Sequence, residues 1–347
     1  MRFTLPGALK TLGSPPYACT CLSTSADKSI RILVTESVYN LAPAGVISPI
    51  SFGFCMIKTN KDKLLTLAFQ GQVVPAQVVR TYQATWDGRA KMCIGIGGIN
   101  YNLKTGMEVF GWANGDRAEP GVSTDGVGND GQKNGYRQKT GVGNTVQVTS
   151  GDAKGDYGTI IGKHGYRLPG NAQHVLVHFN DGTLDNLNID DKLKVKARCI
   201  GLKINGYDDV MVHSSSPELI EGMGIEDVKG KLKVPVALEV PAKIVGAGYG
   251  TQAHSSHIDI QTCYPPDIKE YGLDRLRFGD IVALRDVSCN YGRHYYRGAT
   301  TIGIICSGPS EISGQGIGVT TILSNLEGKL DPVESKDANL KNILELE

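Results

Sequence analysis

Glycine constrains this chain more than any other residue type. It supplies 44 of the 347 residues, nearly twice the usual share of about 7%. Glycine is costly inside helices and useful wherever φ must be positive. Few Ala/Leu/Glu runs offset it, so the sequence predicts a mainly β protein with few short helices. The expected architecture is several small β domains of barrel or sandwich type.

The rest of the composition excludes more than it selects. Hydrophobic residues make up 40% and charged residues 20%, which suits a folded chain with a sizeable core. Lys and Arg number 36 against 35 Asp and Glu, a formal charge of +1. Such a balance gives no global pull toward nucleic acid or anionic lipid. No stretch approaches the ~20 apolar residues of a membrane span, and no continuous apolar segment follows the N-terminus as a signal peptide would require. The expected location is the cytoplasm. None of the eight cysteines forms a Cys-x-x-Cys pair, and Cys19-Thr-Cys21 is too tight for a usual zinc half-site. Cys93, Cys199 and Cys306 lie in apolar runs and read as small buried hydrophobes.

Short β-branched runs punctuated by Gly, Pro, Asn or Asp divide the chain. Residues 1–150 read as an N-terminal β-rich domain, with strands at Ile30–Thr35, Leu64–Phe69, Gln77–Tyr82 and Met92–Ile96. Within it, 111–155 has glycines every few residues and little apolar periodicity. That pattern predicts a solvated excursion or oligomer arm, the alternative being a lid carrying Asp116 and Glu119. Residues 151–212 compress four or five short strands, with Asn180-Asp-Gly as a hairpin signal, and predict a small SH3-like barrel. The Gly-x-Ile-x-Gly-Lys turn there resembles small barrels of translation and transcription factors. Residues 213–330 form a C-terminal β domain, opened by a short helix with Ser216 as N-cap and Pro217 at its first position. Asp331-Pro-Val-Glu334 has capping-box spacing, and Leu340, Ile343 and Leu344 form an apolar stripe, so 331–347 predicts a C-terminal helix that docks on the body or on a second copy.

The densest chemistry lies in Tyr249-Gly-Thr-Gln-Ala-His254-Ser-Ser-His257-Ile-Asp259-Ile-Gln261. On a strand, His257, Asp259 and Gln261 share one face while Ile258 and Ile260 point to the core. His254 can fold back to join them, and His294 is the best remote addition. Imidazole with carboxylate suits Zn, Fe, Mn or Ni rather than Ca or Mg. The alternative is a plain surface hydrogen bond. Tyr291, Arg293 and Arg297, in Tyr291-Gly-Arg-His294-Tyr-Tyr-Arg297, offer stacking faces and bidentate donors for a small ligand. Gly314-Gln-Gly-Ile-Gly318 and Ile94-Gly-Ile-Gly-Gly lack the following helix of a phosphate loop, so no nucleotide cofactor is expected. Ser255 and Ser256 lack a nucleophile-elbow context, and nothing places Cys263 or Cys289 beside an imidazole.

Gly248–Asp259, Arg277-Phe-Gly-Asp280-Ile-Val-Ala-Leu-Arg-Asp286, Gly314–Thr321 and Phe110-Gly-Trp-Ala-Asn-Gly-Asp116 together resemble a family of prokaryotic proteins. That family, many of whose members are thermophilic, is classed as a domain of unknown function with N-terminal and C-terminal parts. The resemblance implies a multi-domain β-rich fold and transfers no activity. The Gly-Asp280 strand also resembles acetamidase/formamidase-type hydrolases, although their acidic Gly-Asp-Gly-Glu segment is missing.

These readings converge on a metal-dependent hydrolase of a small substrate, an amide among the options. His254, His257, Asp259 and His294 are the candidate ligands, and Asp286, Asp116 or Glu119 the candidate base. A bound divalent ion would lower the pKa of its water to about 7. The alternative is a non-enzymatic ligand-binding or assembly protein, RNA association included, whose His/Asp cluster is structural. A small-molecule ligand and a homo-oligomer are the expected partners, with no nucleic acid and no membrane.

Overall fold

The computed structural model describes residues 20–21, 31–34, 37–41, 47–50, 55–76, 82–92, 97–113, 115–165, 173–248, 253–254 and 257–347. Expectations resting on Cys19, on 77–81, on 93–96 and on 249–252, Ser255 and Ser256 lie outside them. Met1–Cys55 is one compact unit and Met56–Glu347 another. The first carries an antiparallel meander of Thr20–Cys21, Arg31–Val34, Ser37–Leu41 and Ile47–Ile50.

In the second unit six strands close a barrel: β1 (Leu67–Val73), β2 (Val122–Gly126), β3 (Thr145–Val148), β4 (Tyr157–Gly165), β5 (Gln173–His178) and β6 (Lys192–Ala197). Their spatial order is β3-β4-β5-β2-β1-β6. Strand β6 shows why: Leu193, Val195 and Ala197 are buried while Lys194 and Lys196 are exposed, the period-2 pattern of a one-sided strand. The barrel therefore draws β1, β2 and β3 from before residue 151. Pairing of Leu67–Gln72 with Lys192–Ala197 closes it, a contact no local pattern reveals.

The described residues of the glycine-rich 111–155 segment are built into the barrel rather than forming a separate excursion. They contribute β2, β3 and helix α1 (Asp130–Lys139), which opens on a capping box between Asn129 and Gln132. Two further local readings are overridden. Asn180 caps a helix, α2 (Asp181–Asn186), by accepting from Thr183 N at 2.9 Å, so Asn180-Asp-Gly is no hairpin. Leu330–Glu334 is a strand pairing parallel to Lys231–Val236, with Leu330 and Pro332 buried. The last helix is only Leu340–Ile343, capped by Asn339. The expected helix start at Asp331 loses because burying the Leu330 and Pro332 side chains in a ladder outweighs a single cap. The expected helix at Pro217–Gly222 forms, with Ser216 accepting from Leu219 N.

The unit's other large sheet has seven strands: β7 (Met211–Val212), β8 (Leu238–Pro241), β9 (Val245–Gly248), β10 (His257–Gln261), β11 (Ile281–Ser288), β12 (His294–Ile305) and β13 (Gly316–Asn325), in order β8-β11-β12-β13-β10-β9 with β7 also on β13. It is a wall between two cores. Ile281 and Ala283 of β11 pack with the barrel residues, while their neighbours Val282 and Leu284 pack with Leu103, Val109 and Phe278 on the other side. All ten residues of β13 are buried accordingly. No helix among the described residues is long and apolar enough to cross a membrane.

Barrel and sheet meet through β4. Lys163 N donates to Thr320 Oγ1 at 2.8 Å, and that hydroxyl donates back to Lys163 O at 3.0 Å. Two glycines permit the approach: a Cβ on Gly162 would lie 2.7 Å from Cys306 Cβ, and one on Gly318 would lie 2.4 Å from Ser307 Oγ. Gly162→Val is expected to destabilise the protein by about 1–3 kcal/mol through overpacking. Urea unfolding of the purified variant measures this, and an unchanged midpoint would show that the seam yields.

Candidate functional site

Strand β10 puts His257 and Asp259 on one face, as its alternation requires. His257 Nε2 lies 2.9 Å from Asp259 Oδ1, and Gly165 N donates to His257 Nδ1 at 2.9 Å. The Gly165 carbonyl oxygen lies 3.3 Å from the same ring nitrogen, and Nε2 faces the carboxylate. The pair is buried, Asp259 completely. Although the separation is that of an ion pair, neither Asp259 oxygen receives a well-directed hydrogen bond among the described residues.

The cluster extends into the barrel. The His164 ring sits 4.4 Å from that of His257, tilted by 50°. His164 Nδ1 is 2.5 Å from Glu119 Oε1, and His174 Nδ1 is 2.9 Å from Glu119 Oε2. Ser123 Oγ also donates to Glu119. Glu119, Ser123, His164 and His174 are all at most 5% exposed. Burial opposes the ionisation of Glu119, but the His174 charge and the hydrogen bonds from both imidazoles overcome it and hold the carboxyl below its usual range. His174 is raised, because Glu119 outweighs burial there. His164 is lowered by burial and by His257. The resulting arrangement is a carboxylate shared by two imidazoles, His174 shifted toward its charged form and His164 toward its neutral form.

The opposite face of β4 carries a different cluster. Lys163 is fully buried, and its Nζ lies 3.1 Å from Ser214 Oγ and 2.6 Å from the His254 carbonyl oxygen. Ser214 Oγ also donates to that carbonyl, at 2.8 Å. No carboxylate pairs with Lys163 among the described residues, and burial pushes its ammonium down to about 8. Ser214 has φ of 41°, in a region that costs a non-glycine residue of order 1–3 kcal/mol. Ser214 and His254 line a small cavity of about 210 Å³ with Cys199 and Val212. His213 packs against His254, with Nδ1 atoms 3.3 Å apart, and burial followed by the His254 and Lys163 charges pushes it down to about 3.

The structure thus joins His257 to Asp259, and Glu119 to two histidines, while dispersing the rest of the expected set. His254 meets His213 and Lys163, and His294 Nδ1 is 3.2 Å from Gly292 O within its own hairpin. Among the described residues no group of three His, Cys, Asp or Glu side chains is arranged to hold a metal ion. Asp286, with φ of 56°, sits at a bulge and accepts from Gly298 N at 2.7 Å, a turn-pinning contact. Asp116 is buried and accepts from Ser310 Oγ at 2.7 Å. Tyr291 and Arg297 are exposed at the hairpin, and Arg293 donates to Val245 O. His164, His174, Lys163 and Ser214 escaped the sequence reading. Gly162-Lys163 reads as the end of a barrel-turn signal and Ser216-Pro217 as a helix start, and neither signal points to His164 or Ser214.

Comparison with known proteins places the chain. Residues 82–221 match the model for "Domain of unknown function (DUF4438), N-terminal", and residues 222–344 match its C-terminal counterpart. The chain belongs to the DUF4438 family. It is also similar to the protein in "Crystal structure of TM1086", at 37% identity over 82% of this chain and 98% of that one, with a TM-score of 0.76. No curated protein matches.

Glu119→Gln removes the charge that both imidazoles face. The raised His174 contributes stability fully present below its ordinary 6.5 and lost as pH rises through its folded value. The lowered Glu119 contributes stability present above its ordinary 4.5 and lost as pH falls. The gap in unfolding free energy between wild type and variant is therefore expected to peak between those values, at about 3–5 kcal/mol for a broken buried pair, and to narrow above them. Urea melts across pH test this, and a gap independent of pH would refute the charged-pair assignment.

Proposed function

We propose that this protein is a hydrolase of small acyl compounds, esters or amides, with Ser214 as nucleophile and Lys163 as general base. The observation that carries the reading is a wholly buried lysine, without a carboxylate partner among the described residues, 3.1 Å from a serine hydroxyl at a cavity. A buried ammonium held only by neutral acceptors costs several kcal/mol. A neutral amine does not, and it can accept the hydroxyl proton. Strained backbone at Ser214 fits the same role, since such strain concentrates at functional residues. Serine–lysine pairs are an established variant of the nucleophile–base arrangement.

In the proposed reaction, neutral Lys163 keeps one N–H on the His254 carbonyl and turns its lone pair toward Ser214 Oγ. Oγ attacks the acyl carbon while its proton passes to Nζ. The resulting ammonium returns that proton to the leaving oxygen or nitrogen. Water then enters by the same route and attacks the acyl carbon as Lys163 takes its proton; the acyl–Oγ bond breaks, the ammonium returns that proton to Oγ, and the acid product departs. The cavity, about 210 Å³, has room for a small acyl group. The Glu119–His174 pair lies on the other face of β4 and fixes that strand.

An alkyl fluorophosphonate probe tests the chemistry without a known substrate: Oγ bonds to phosphorus and fluoride leaves. Expected is a single adduct on Ser214 by intact mass and peptide mapping, absent in Ser214→Ala and Lys163→Met. The labelling rate is expected to rise with pH through about 8, where Lys163 loses its proton. No adduct on the folded protein, or labelling abolished by EDTA, would overturn the reading. A second expectation separates function from structure. Lys163 has a depressed folded pKa, so it lowers stability below about 8 and stops doing so as pH rises toward its ordinary 10.5. Lys163→Met should therefore unfold at no lower urea concentration than wild type at pH 7, whereas a lysine retained for stability would show a loss.

A further inference from the structure

The chain has two tryptophans, and both line one cavity. Trp86 and Trp112 are 42% and 36% exposed, and the cavity they share measures about 710 Å³, within the range of small-molecule sites. It contains none of the residues of the Ser214 cavity. Each indole is held in place. Trp86 packs edge-on against Tyr264 with ring centroids 5.7 Å apart, and its backbone N donates to Glu311 O at 2.9 Å. Trp112 Nε1 donates to Glu108 O at 2.9 Å. Two large apolar rings are fixed at the mouth of a cavity, where keeping them wet costs hydrophobic free energy.

The ionisable wall identifies the ligand class by elimination. Asp87, Asp116 and Glu311 stand against Arg89 and Lys91, three acids to two bases, and these groups already engage one another. Arg89 Nε is 2.8 Å from Asp87 Oδ2, Lys91 Nζ is 3.4 Å from Glu311, and Asp116 accepts from Ser310. A phosphorylated ligand needs positive charge that is not already compensated, and a cationic one needs a carboxylate that is not. A purely apolar ligand would strip water from five ionisable side chains without replacing its hydrogen bonds. A neutral polyhydroxylated ring meets both demands, its C–H face covering an indole while its hydroxyls both donate to Asp or Glu and accept from Arg or Lys.

We infer that this cavity is a saccharide-binding site, with Trp86 and Trp112 as its stacking faces. It stands independently of the proposed hydrolase chemistry, since the two sites share no residue.

Because these are the chain's only tryptophans, all indole emission reports from the cavity. The full-length protein is titrated with maltose, cellobiose, xylobiose and diacetylchitobiose, with tetramethylammonium chloride and inorganic phosphate alongside. Expected is a saturable change in emission with at least one disaccharide and none with the two ions. Trp112→Ala, read through Trp86, should weaken that binding about tenfold or more, the equivalent of 1.4 kcal/mol. Trp86→Phe, read through Trp112, should weaken it as well, and far-UV circular dichroism checks that both variants fold. Absence of saturation with every disaccharide, saturation by either ion, or unchanged affinity in both folded variants would overturn the assignment. Fluorophosphonate labelling of Ser214 in the same preparations reads the other site separately.

Discussion

At Lys163, which stays paired with Val175 in the barrel ladder, the backbone of β4 is also hydrogen-bonded through both its N–H and its carbonyl by one threonine hydroxyl of the sheet. A register shift between Ile160 and Gly162 accompanies this. Such a shift re-aims the side chains that follow it. Lys163 and His164 consequently point to opposite sides of a strand that is itself buried between barrel and sheet. The Glu119 cluster lies against His164, and Ser214 lies against Lys163.

The two faces solve the problem of buried charge in opposite ways. Around His164 the solution is pairing: a carboxylate, two imidazoles and a serine hydroxyl share hydrogen bonds at short range, so that an ion can exist out of water. Around Lys163 nothing of opposite sign is supplied among the described residues, and burial instead pulls the ammonium down to about 8, so that the neutral amine comes within reach of mildly alkaline pH. The first arrangement suits a fixed structural centre that organises its strand. The second holds an amine against a serine hydroxyl that lines a cavity, the arrangement on which the proposed chemistry rests.

Much of the fold was legible from local pattern. The strands of the C-terminal half appear where β-branched alternation puts them, and the serine-capped helix at Pro217 forms as written. What failed did so where a local signal had two meanings. Asn180-Asp-Gly is as good a helix cap as a turn, and Asn129-Asp-Gly-Gln132 is a capping box hidden among glycines. The 111–155 segment looked empty because its apolar residues are few: α1 buries only Tyr136. At the candidate site, His257 and Asp259 could be paired by counting residues along one strand. His174, Glu119, His164 and Ser214 could not, since they come from separate elements and carry no motif between them.

The sequence by itself determined that this chain is mainly β, that its helices are short, and that His257 and Asp259 share a face. Those are consequences of backbone propensity and of the two-residue repeat of a strand, which act over a few positions. Only the tertiary structure decided that the barrel begins before residue 70, that Glu119 is an interior ion, and that a lysine and a serine 51 residues apart lie within a hydrogen bond. These depend on which strands close the barrel and how nearly two glycine-bearing strands approach. The free energy of that choice is summed over the whole core and is written at no single position.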